Sequence, residues 1–113
     1  MSNTQIGILV AIAALWFFFS RWGKVPAAKA RELVAAGARL VDVRTAGEFG
    51  GGHLPGAINI PLDQLSGRLG ELKKGDKPVV LYCASGARSG QAKRILTSGG
   101  IADVHDLGAM SRW

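Results

Sequence analysis

The chain has 113 residues, a formal net charge of +6 and one cysteine. This length suits one domain of ordinary size. A single cysteine excludes an intramolecular disulfide and a cysteine-rich zinc site, and a hydrophobic content of 48% is too high for a disordered chain.

The first predicted element is an apolar segment at residues 6–19, in which Gly7 is the one non-hydrophobic residue. A helix of about 20 residues spans about 30 Å, the thickness of a bilayer core, so this segment is a borderline span. A cleaved signal peptide is disfavoured because no basic side chain precedes the segment and no small-x-small motif directly follows it. A core helix with no polar face would need enclosure on all sides. We therefore predict one transmembrane helix, with membrane contact over residues 6–20.

Basic residues give this predicted helix an orientation. Arg21, Lys24, Lys29 and Arg31 all follow the apolar segment, and no charged side chain precedes it. The positive-inside rule then keeps the rest of the chain in the cytoplasm, where a cysteine stays reduced. We divide the chain into a transmembrane anchor with its juxtamembrane segment at residues 1–24 and a globular domain at residues 25–113. We expect a single-pass membrane protein whose globular domain faces the cytoplasm.

Residues 25–113 alternate between helix and strand patterns. Helical patterns lie at residues 27–36, 62–72 and 92–99, and strand patterns at residues 39–43, 57–60, 78–82 and 102–105. The apolar run at residues 78–82 is typical of a parallel strand that is covered on both faces. The alternation predicts a small open α/β sheet with parallel strands and flanking helices.

The single cysteine, Cys83, directly follows the strand pattern at residues 78–82. In open parallel sheets, ligands bind at the carboxyl ends of the strands, where a following helix presents free N–H groups. A thiolate is stabilised there, so we expect a lowered pKa for Cys83. Small side chains let the loop's backbone amides turn inward as an anion-binding nest, and an arginine adds positive charge. The predicted binding residues are Ala84, Ser85, Gly86, Ala87 and Arg88.

An inert buried cysteine is the alternative interpretation, because most lone cysteines in strands are small core residues. The position of Cys83 after the strand, the small-residue loop and Arg88 together favour a reactive thiol.

Three motifs in residues 25–113 resemble those of single rhodanese (sulfurtransferase) domains. They are LVDVR at residues 40–44, EF-x-x-GHLPGAINIP at residues 48–61 and CASGARS at residues 83–89. The C-terminal segment is similar to the family's end motif, with Ala109 in place of a second glycine. The resemblance implies a rhodanese-like fold, a mostly parallel five-stranded sheet flanked by helices, preceded here by the predicted transmembrane helix.

The resemblance also implies sulfur transfer through Cys83. The thiolate is expected to attack the outer sulfur of a small anionic donor, thiosulfate or a persulfide, and a thiol or cyanide is expected to accept the sulfur from the resulting Cys83 persulfide. The backbone N–H groups of residues 84–88 are expected to hold the persulfide, and no metal or organic cofactor is needed. Phosphatases of similar fold place five residues between their cysteine and arginine. Four separate Cys83 from Arg88, which favours sulfur substrates over phosphate.

Four further residues are candidates for supporting this site. Asp42 and Arg44 end a predicted strand, and we interpret them as a structural ion pair that fixes the next loop. Glu48 is expected to join that network or to cap a short helix. Ser89 is expected to donate a hydrogen bond to bound sulfur or to cap the helix after the loop.

The other patterns exclude several partners. We interpret His53 as structural and His105 as structural or exposed, and their unrelated contexts predict no metal site. The basic residues do not alternate with aromatic ones, so we expect no nucleic acid to bind. The sequence leaves the oligomeric state open.

Two functions of different classes fit these patterns. One is a sulfurtransferase enzyme, and the other is a sulfur carrier or thiol binding module at the membrane that passes sulfur on without turnover. Both need Cys83 and its loop, so the sequence separates them poorly. A phosphatase is a third interpretation, which the loop length disfavours.

Overall fold

Four parallel strands form the one sheet found in residues 3–21 and 23–113, the part of the chain that this computed structural model describes. They are β1 (Arg39–Asp42), β2 (Ile58–Asn59), β3 (Val79–Cys83) and β4 (Val104–Ala109). Their spatial order is β2-β1-β3-β4, and every neighbouring pair is parallel. The carboxyl ends of all four strands therefore meet at one edge of the sheet.

Helices connect these strands, as parallel pairing requires. The α-helices are α1 (Asn3–Arg21), α2 (Ala27–Ala35), α3 (Ala46–Gly50), α4 (Leu69–Lys73) and α5 (Ala87–Ser98), and the 3-10 helices are Leu62–Gly67, Lys74–Asp76 and Met110–Arg112. The helix predicted at residues 27–36 is confirmed. It ends because Gly37 has a φ of 108°, which lets the N–H of Ala38 turn back to the carbonyl of Leu33.

The pattern at residues 62–72 forms two elements instead of one helix. The 3-10 helix Leu62–Gly67 and α4 are separated by Arg68, whose φ of −123° breaks the helical path. Leu65 and Leu72 are buried in the core. The pattern thus identified the buried side chains correctly, although it did not show the break.

Side chains of β1 and β3 alternate between two hydrophobic cores, one on each face of the sheet. Val41, Leu81 and Cys83 belong to the core that includes Ala92 and Leu96 of α5. The other core contains Leu40, Val80 and Tyr82 from the strands together with Ala30 of α2. We call these sides the α5 face and the α2 face. Because both faces are covered, β3 is apolar throughout, as predicted.

The sheet has four strands, so the prediction of five is wrong. Lys24 pairs with Asp106 of β4 as an isolated parallel bridge and does not extend into a strand. Gly23 precedes it with a φ of 81°, and Pro26 follows Val25 as the N-cap residue of α2. A further rung would need the N–H of Gly108 to donate to the carbonyl of Val25, but this N–H donates to Asp106 Oδ1 at 2.8 Å, and α2 begins at Ala27, so the pairing stops after one bridge.

The predicted transmembrane helix is not supported. A helix does form here, since α1 covers Asn3–Arg21. However, none of the helices in residues 3–21 and 23–113 has the length and apolar character that crossing a membrane requires. The strictly apolar segment at residues 6–19 is shorter than the roughly 20 residues of a full span. Residues 1, 2 and 22 of the predicted anchor segment lie outside the described residues.

Candidate active site

Cys83 is the last residue of β3 and lies at the carboxyl edge of the sheet. Its Cα is paired with that of Ala109 in β4, and the preceding residue, Tyr82, is paired with Asp42 in β1. The exposed fraction of Cys83 is 0%. The structure therefore places the thiol where sequence reasoning put it, at the carboxyl end of the apolar strand and before a short loop that leads to a helix.

The loop after Cys83 directs backbone N–H groups at the sulfur. The N–H of Gly86 donates to Sγ at 2.9 Å, and the N–H of Ser89 donates to Sγ at 3.4 Å. Gly86 is the N-cap residue of α5 and has a φ of 101°, a left-handed conformation that glycine adopts without strain. We call residues 83–89 the cysteine loop. Its geometry holds an anionic sulfur at the N-terminus of a helix.

This environment lowers the pKa of the Cys83 thiol below its ordinary value. Burial acts in the opposite direction and raises the pKa, because it disfavours the charged thiolate. Hydrogen bonds from Ser89 and from the backbone of Gly86 and Ser85 outweigh the burial, since they stabilise the thiolate. The lowered pKa expected from the sequence thus agrees with the geometry, and its main cause is hydrogen bonding from the loop.

The side chains of the cysteine loop leave the site open. Ala84, Ser85 and Ala87 are exposed, Gly86 is buried, and the Arg88 side chain is 33% exposed. The exposed side chains are small, so they do not form a wall around the loop. The sulfur accepts hydrogen bonds from the backbone amides of Gly86 and Ser89, which the exposed side chains do not cover.

Ser89 is fully buried and stabilises the cysteine loop through two hydrogen bonds. Its hydroxyl donates to the carbonyl of Gly86 at 3.1 Å, while its backbone N–H donates to Cys83. Gly86 has no side chain and α5 has no side-chain cap, so Ser89 is not the capping residue of this helix. A role in binding transferred sulfur stays a prediction.

Arg88 forms a two-armed ion pair with Glu48. Its Nη1 and Nη2 donate to Oε1 and Oε2 of Glu48 at 2.6 and 3.0 Å. Glu48 also completes a capping box with Thr45, the N-cap residue of α3, so the capping prediction is confirmed. Hydrogen bonds from Arg88 and Thr45 lower the pKa of Glu48 to about 2. The carboxylate therefore stays charged beside the cysteine loop.

Asp42 and Arg44 form a buried ion pair, as the sequence predicted. The exposed fractions of their side chains are 0% and 9%, and Arg44 Nη2 donates to Asp42 Oδ2 at 2.7 Å. Nη2 also donates to the carbonyl of Gly52 at 2.7 Å, which holds the loop after α3. The guanidinium lies 5.8 Å from the ring centroid of Tyr82, on the α2 face. Cys83 lies on the α5 face, so the Asp42–Arg44 pair stabilises this edge of the sheet from the face opposite the thiol.

Two residues of the α2 face extend this support, and sequence reasoning did not identify them. The amide of Asn59 donates to the backbone carbonyls of Asp42 and Arg44, each at 3.0 Å. The hydroxyl of Tyr82 accepts a hydrogen bond from the N–H of Leu54 at 3.1 Å. Burial, followed by the neighbouring Asp42, raises the pKa of Tyr82 to about 12, so its hydroxyl stays neutral.

A second unpredicted group links the N-terminal segment to the cysteine loop. Lys24 Nζ lies 2.6 Å from Asp106 Oδ2 and 3.5 Å from the carbonyl oxygen of Gly86. The other Asp106 oxygen accepts from the N–H of Gly108 at 2.8 Å. Lys24 and Asp106 are 82 residues apart, so no local pattern signals this contact.

The histidines have local partners. His53 stacks on Phe49 with a centroid distance of 3.9 Å, and its Nδ1 lies 2.9 Å from the carbonyl oxygen of Leu54. His105 Nε2 lies 2.5 Å from Asp103 Oδ1. In the part of the chain that the structure describes, no three His, Cys, Asp or Glu residues are grouped as a metal site requires.

Comparison with known proteins assigns this arrangement to a family. The family model described as "Rhodanese-like domain" matches residues 26–113. The uncharacterized protein YqhL of Bacillus subtilis is 47% identical over 77 residues, which cover 67% of this chain and 60% of YqhL. A protein named sulfurtransferase from Allochromatium vinosum is 41% identical over 75 residues, which cover 66% of this chain and 69% of that protein.

The fold agrees with a solved human structure. The human single-domain sulfurtransferase TSTD1 superposes with a TM-score of 0.69 at 32% identity, covering 80% of this chain and 94% of TSTD1. The family match includes Cys83, the loop after it and the strands that position it. This chain therefore belongs to the rhodanese-like family, whose members include sulfurtransferases.

Proposed function

We propose that this protein transfers sulfane sulfur through a persulfide on Cys83. The observation that carries this proposal is the environment of the Cys83 sulfur, which is buried and accepts N–H hydrogen bonds from Gly86 and Ser89. Such an environment stabilises a thiolate, the nucleophilic form of cysteine, and a persulfide anion attached to it. Membership in a family with sulfurtransferase relatives supports the same chemistry.

The proposed first step forms the persulfide. The Cys83 thiolate attacks the outer sulfur of thiosulfate, the bond between the two donor sulfurs breaks, and its electron pair leaves with sulfite. With a persulfide donor, the electron pair leaves instead on the donor's thiolate. In both cases Cys83 carries one added sulfur that bears the negative charge.

The proposed second step returns the enzyme to its starting form. A cyanide carbon or a thiolate sulfur attacks the added sulfur, and the bond to Cys83 breaks. The electron pair returns to Cys83 as a thiolate, and thiocyanate or a new persulfide leaves. Backbone amides of the cysteine loop, those of Gly86 and Ser89 among them, stabilise the negative charge through both steps, and this chemistry needs no proton from a neighbouring acid or base.

The test uses the full chain with thiosulfate and cyanide. We expect thiocyanate formation, and we expect mass spectrometry to find one added sulfur on Cys83 after thiosulfate alone. Because the chain has one cysteine, any thiol-dependent signal belongs to Cys83. Cys83→Ser should abolish both signals, while Ser98→Ala on the exposed end of α5 should preserve them. Thiocyanate production that persists in Cys83→Ser would rule the proposal out.

A sulfur carrier is the second candidate. The exposed, small side chains of Ala84, Ser85 and Ala87 favour it, because they leave room for a partner protein to reach the loop. A carrier should accumulate a stable Cys83 persulfide from thiosulfate or a persulfide donor and should release little thiocyanate with cyanide. Repeated turnover in the same assay favours the enzyme. Phosphate release from a chromogenic phosphomonoester would instead favour a phosphatase.

We further propose that α1 attaches the protein to a membrane, with the rhodanese-like domain in the cytoplasm. Ile6, Leu9, Val10 and other apolar side chains of α1 are exposed by 48–63%, and basic residues follow this helix in the sequence. Flotation with anionic vesicles should recover the full chain, and Leu9→Asp should weaken the recovery. Full-length protein that stays in the soluble fraction of cells would contradict membrane attachment, and digestion of the domain from outside intact cells would contradict the orientation.

A further inference from the structure

The cysteine loop carries a fixed pair of opposite charges near its end. Arg88 is the one charged residue of the cysteine loop, and both of its terminal nitrogens are engaged by Glu48. The two side chains are 33% and 35% exposed, so this pair contacts solvent at the end of the cysteine loop. The loop's positive charge is thus neutralised before any substrate binds.

We infer that Glu48 is a specificity-determining residue that makes this site favour persulfide donors with a net charge of −1 over the thiosulfate dianion. The inference rests on the proposed sulfur transfer through Cys83. It adds the class of sulfur donor and assigns a role to a residue outside the cysteine loop.

The first reason is the geometry of the guanidinium. A free arginine presents a planar fork of N–H donors that matches two oxygens of an oxyanion such as the sulfonate end of thiosulfate. Glu48 already accepts from both arms of Arg88, at 2.6 and 3.0 Å. A thiosulfate ion must therefore compete with a carboxylate for Arg88, whereas the outer sulfur of a persulfide can use the backbone amides of the loop.

The second reason is the charge of Glu48 itself. Its carboxylate is held from two sides, by Arg88 and by Thr45 in the capping box. Like charges repel in proportion to their product, so a dianion is repelled more strongly than a monoanion at the same distance. Because Glu48 is partly exposed, added salt screens this repulsion.

The two donors deliver the same sulfur with different leaving groups. Thiosulfate gives its outer sulfur to the Cys83 thiolate and releases sulfite, which carries two negative charges. A persulfide anion gives its outer sulfur and releases a thiolate, which carries one. In both reactions one sulfur–sulfur bond forms to Cys83 and one breaks in the donor, so the product on Cys83 is the same. The difference in charge lies in the donor and its leaving group, which approach and depart past Glu48 and Arg88.

The experiment measures formation of the Cys83 persulfide by rapid quench and mass spectrometry, with two donors: thiosulfate, and 2-hydroxyethyl persulfide, whose one charge is that of its persulfide group. Glu48→Gln removes the charge and retains a side chain that can still take part in the capping box. It should raise the second-order rate constant for thiosulfate about tenfold and that for 2-hydroxyethyl persulfide only about threefold, because the free energy of repulsion from a monoanion is half that from a dianion at the same distance. This gain for thiosulfate should shrink as salt is added.

Glu71→Gln is the matched control. Glu71 forms an equally short two-armed pair with Arg68, at 2.6 and 3.0 Å, so the variant changes the net charge by the same amount. Glu71 lies in α4, which leads to the amino end of β3, whereas Cys83 is at the carboxyl end. We expect Glu71→Gln to leave both rate constants close to those of the wild type.

The outcomes separate this inference from the proposed function. If Glu48→Gln changes both donors by the same factor, or if Glu71→Gln reproduces its effect, the inference is wrong while sulfur transfer stands. If the wild type forms no Cys83 persulfide with either donor, the proposed function fails and the inference fails with it. Wild-type preference supplies a check that needs no variant, because a larger rate constant for thiosulfate than for 2-hydroxyethyl persulfide also overturns the inference.

Discussion

The two ion pairs near the end of β3 differ in burial and in what they hold. Asp42 and Arg44 are two residues apart, are almost fully buried and hold the loop after α3 from the α2 face. Glu48 and Arg88 are 40 residues apart, are about one-third exposed and flank the cysteine loop. The buried pair shapes the scaffold, and the exposed pair sets the charge that a substrate meets. Similar carboxylate–guanidinium contacts thus serve different purposes according to their burial.

The largest expected effect comes from breaking the buried pair. Asp42→Asn preserves the size of the side chain but leaves Arg44 without its counter-charge inside the protein. We expect the free energy of unfolding to fall by about 3–5 kcal/mol, as is typical when one partner of a buried pair is removed. Urea denaturation measures the loss.

The same variant tests the separation between the two faces. Under native conditions, the pH midpoint for alkylation of Cys83 should stay at its wild-type value in Asp42→Asn, because the thiol lies on the α5 face. Glu71→Gln, in an exposed pair, should lose much less stability. If Asp42→Asn costs no more than Glu71→Gln, the structural role of the buried pair is refuted.

A smaller loss of stability is expected from a change at Ser89, in the cysteine loop. Ser89→Ala removes the hydroxyl that donates to the carbonyl of Gly86, which should cost about 1 kcal/mol of stability. Gly86 retains a hydrogen bond from the N–H of Gly90, so its carbonyl stays paired. The side chain of Ser89 also lowers the pKa of Cys83. The midpoint of the alkylation rate against pH should therefore move upward in Ser89→Ala.

The matched control for Ser89 is another serine of the same loop. Ser85→Ala keeps the backbone N–H that acts on Cys83 and alters an exposed side chain. Its alkylation midpoint should equal that of the wild type. An equal upward shift in both variants would mean that the hydroxyl of Ser89 has no specific effect on the thiol.

The sequence predicted those parts of the site whose residues are adjacent in the chain. The apolar run at residues 78–82, the cysteine after it and the small residues of the loop all carry their signal locally, and the structure places them as expected. The Asp42–Arg44 pair was predictable for the same reason, since the residues lie on one strand end. The helix predicted at residues 27–36 likewise depended on local pattern and capping.

The remainder depends on contacts between distant segments. Glu48 meets Arg88 only because α3 and α5 both begin at the carboxyl edge of the sheet, after β1 and β3 respectively. Lys24 meets Asp106 because the N-terminal segment runs beside β4 and forms one isolated bridge with it. The pattern of side chains predicted which face of each helix and strand is buried. The topology of the fold determined which polar groups contact each other.

The smallest expected effect concerns the exposed pair and depends on pH. In the folded protein, Arg88 and Thr45 hold the pKa of Glu48 at about 2, below its ordinary value of 4.5. A depressed carboxylate pKa stabilises the fold above the ordinary value, and this stabilisation is lost as the pH falls from 4.5 towards 2. Glu48→Gln lacks this component at every pH.

The melting temperature of the wild type should therefore exceed that of Glu48→Gln at pH 6, and the difference should shrink steadily between pH 4.5 and 2. Other carboxylates titrate in the same range, but they are common to both proteins and cancel in the comparison. A difference that stays constant down to pH 2 would show that Glu48 supports the fold through its shape and not through its charge.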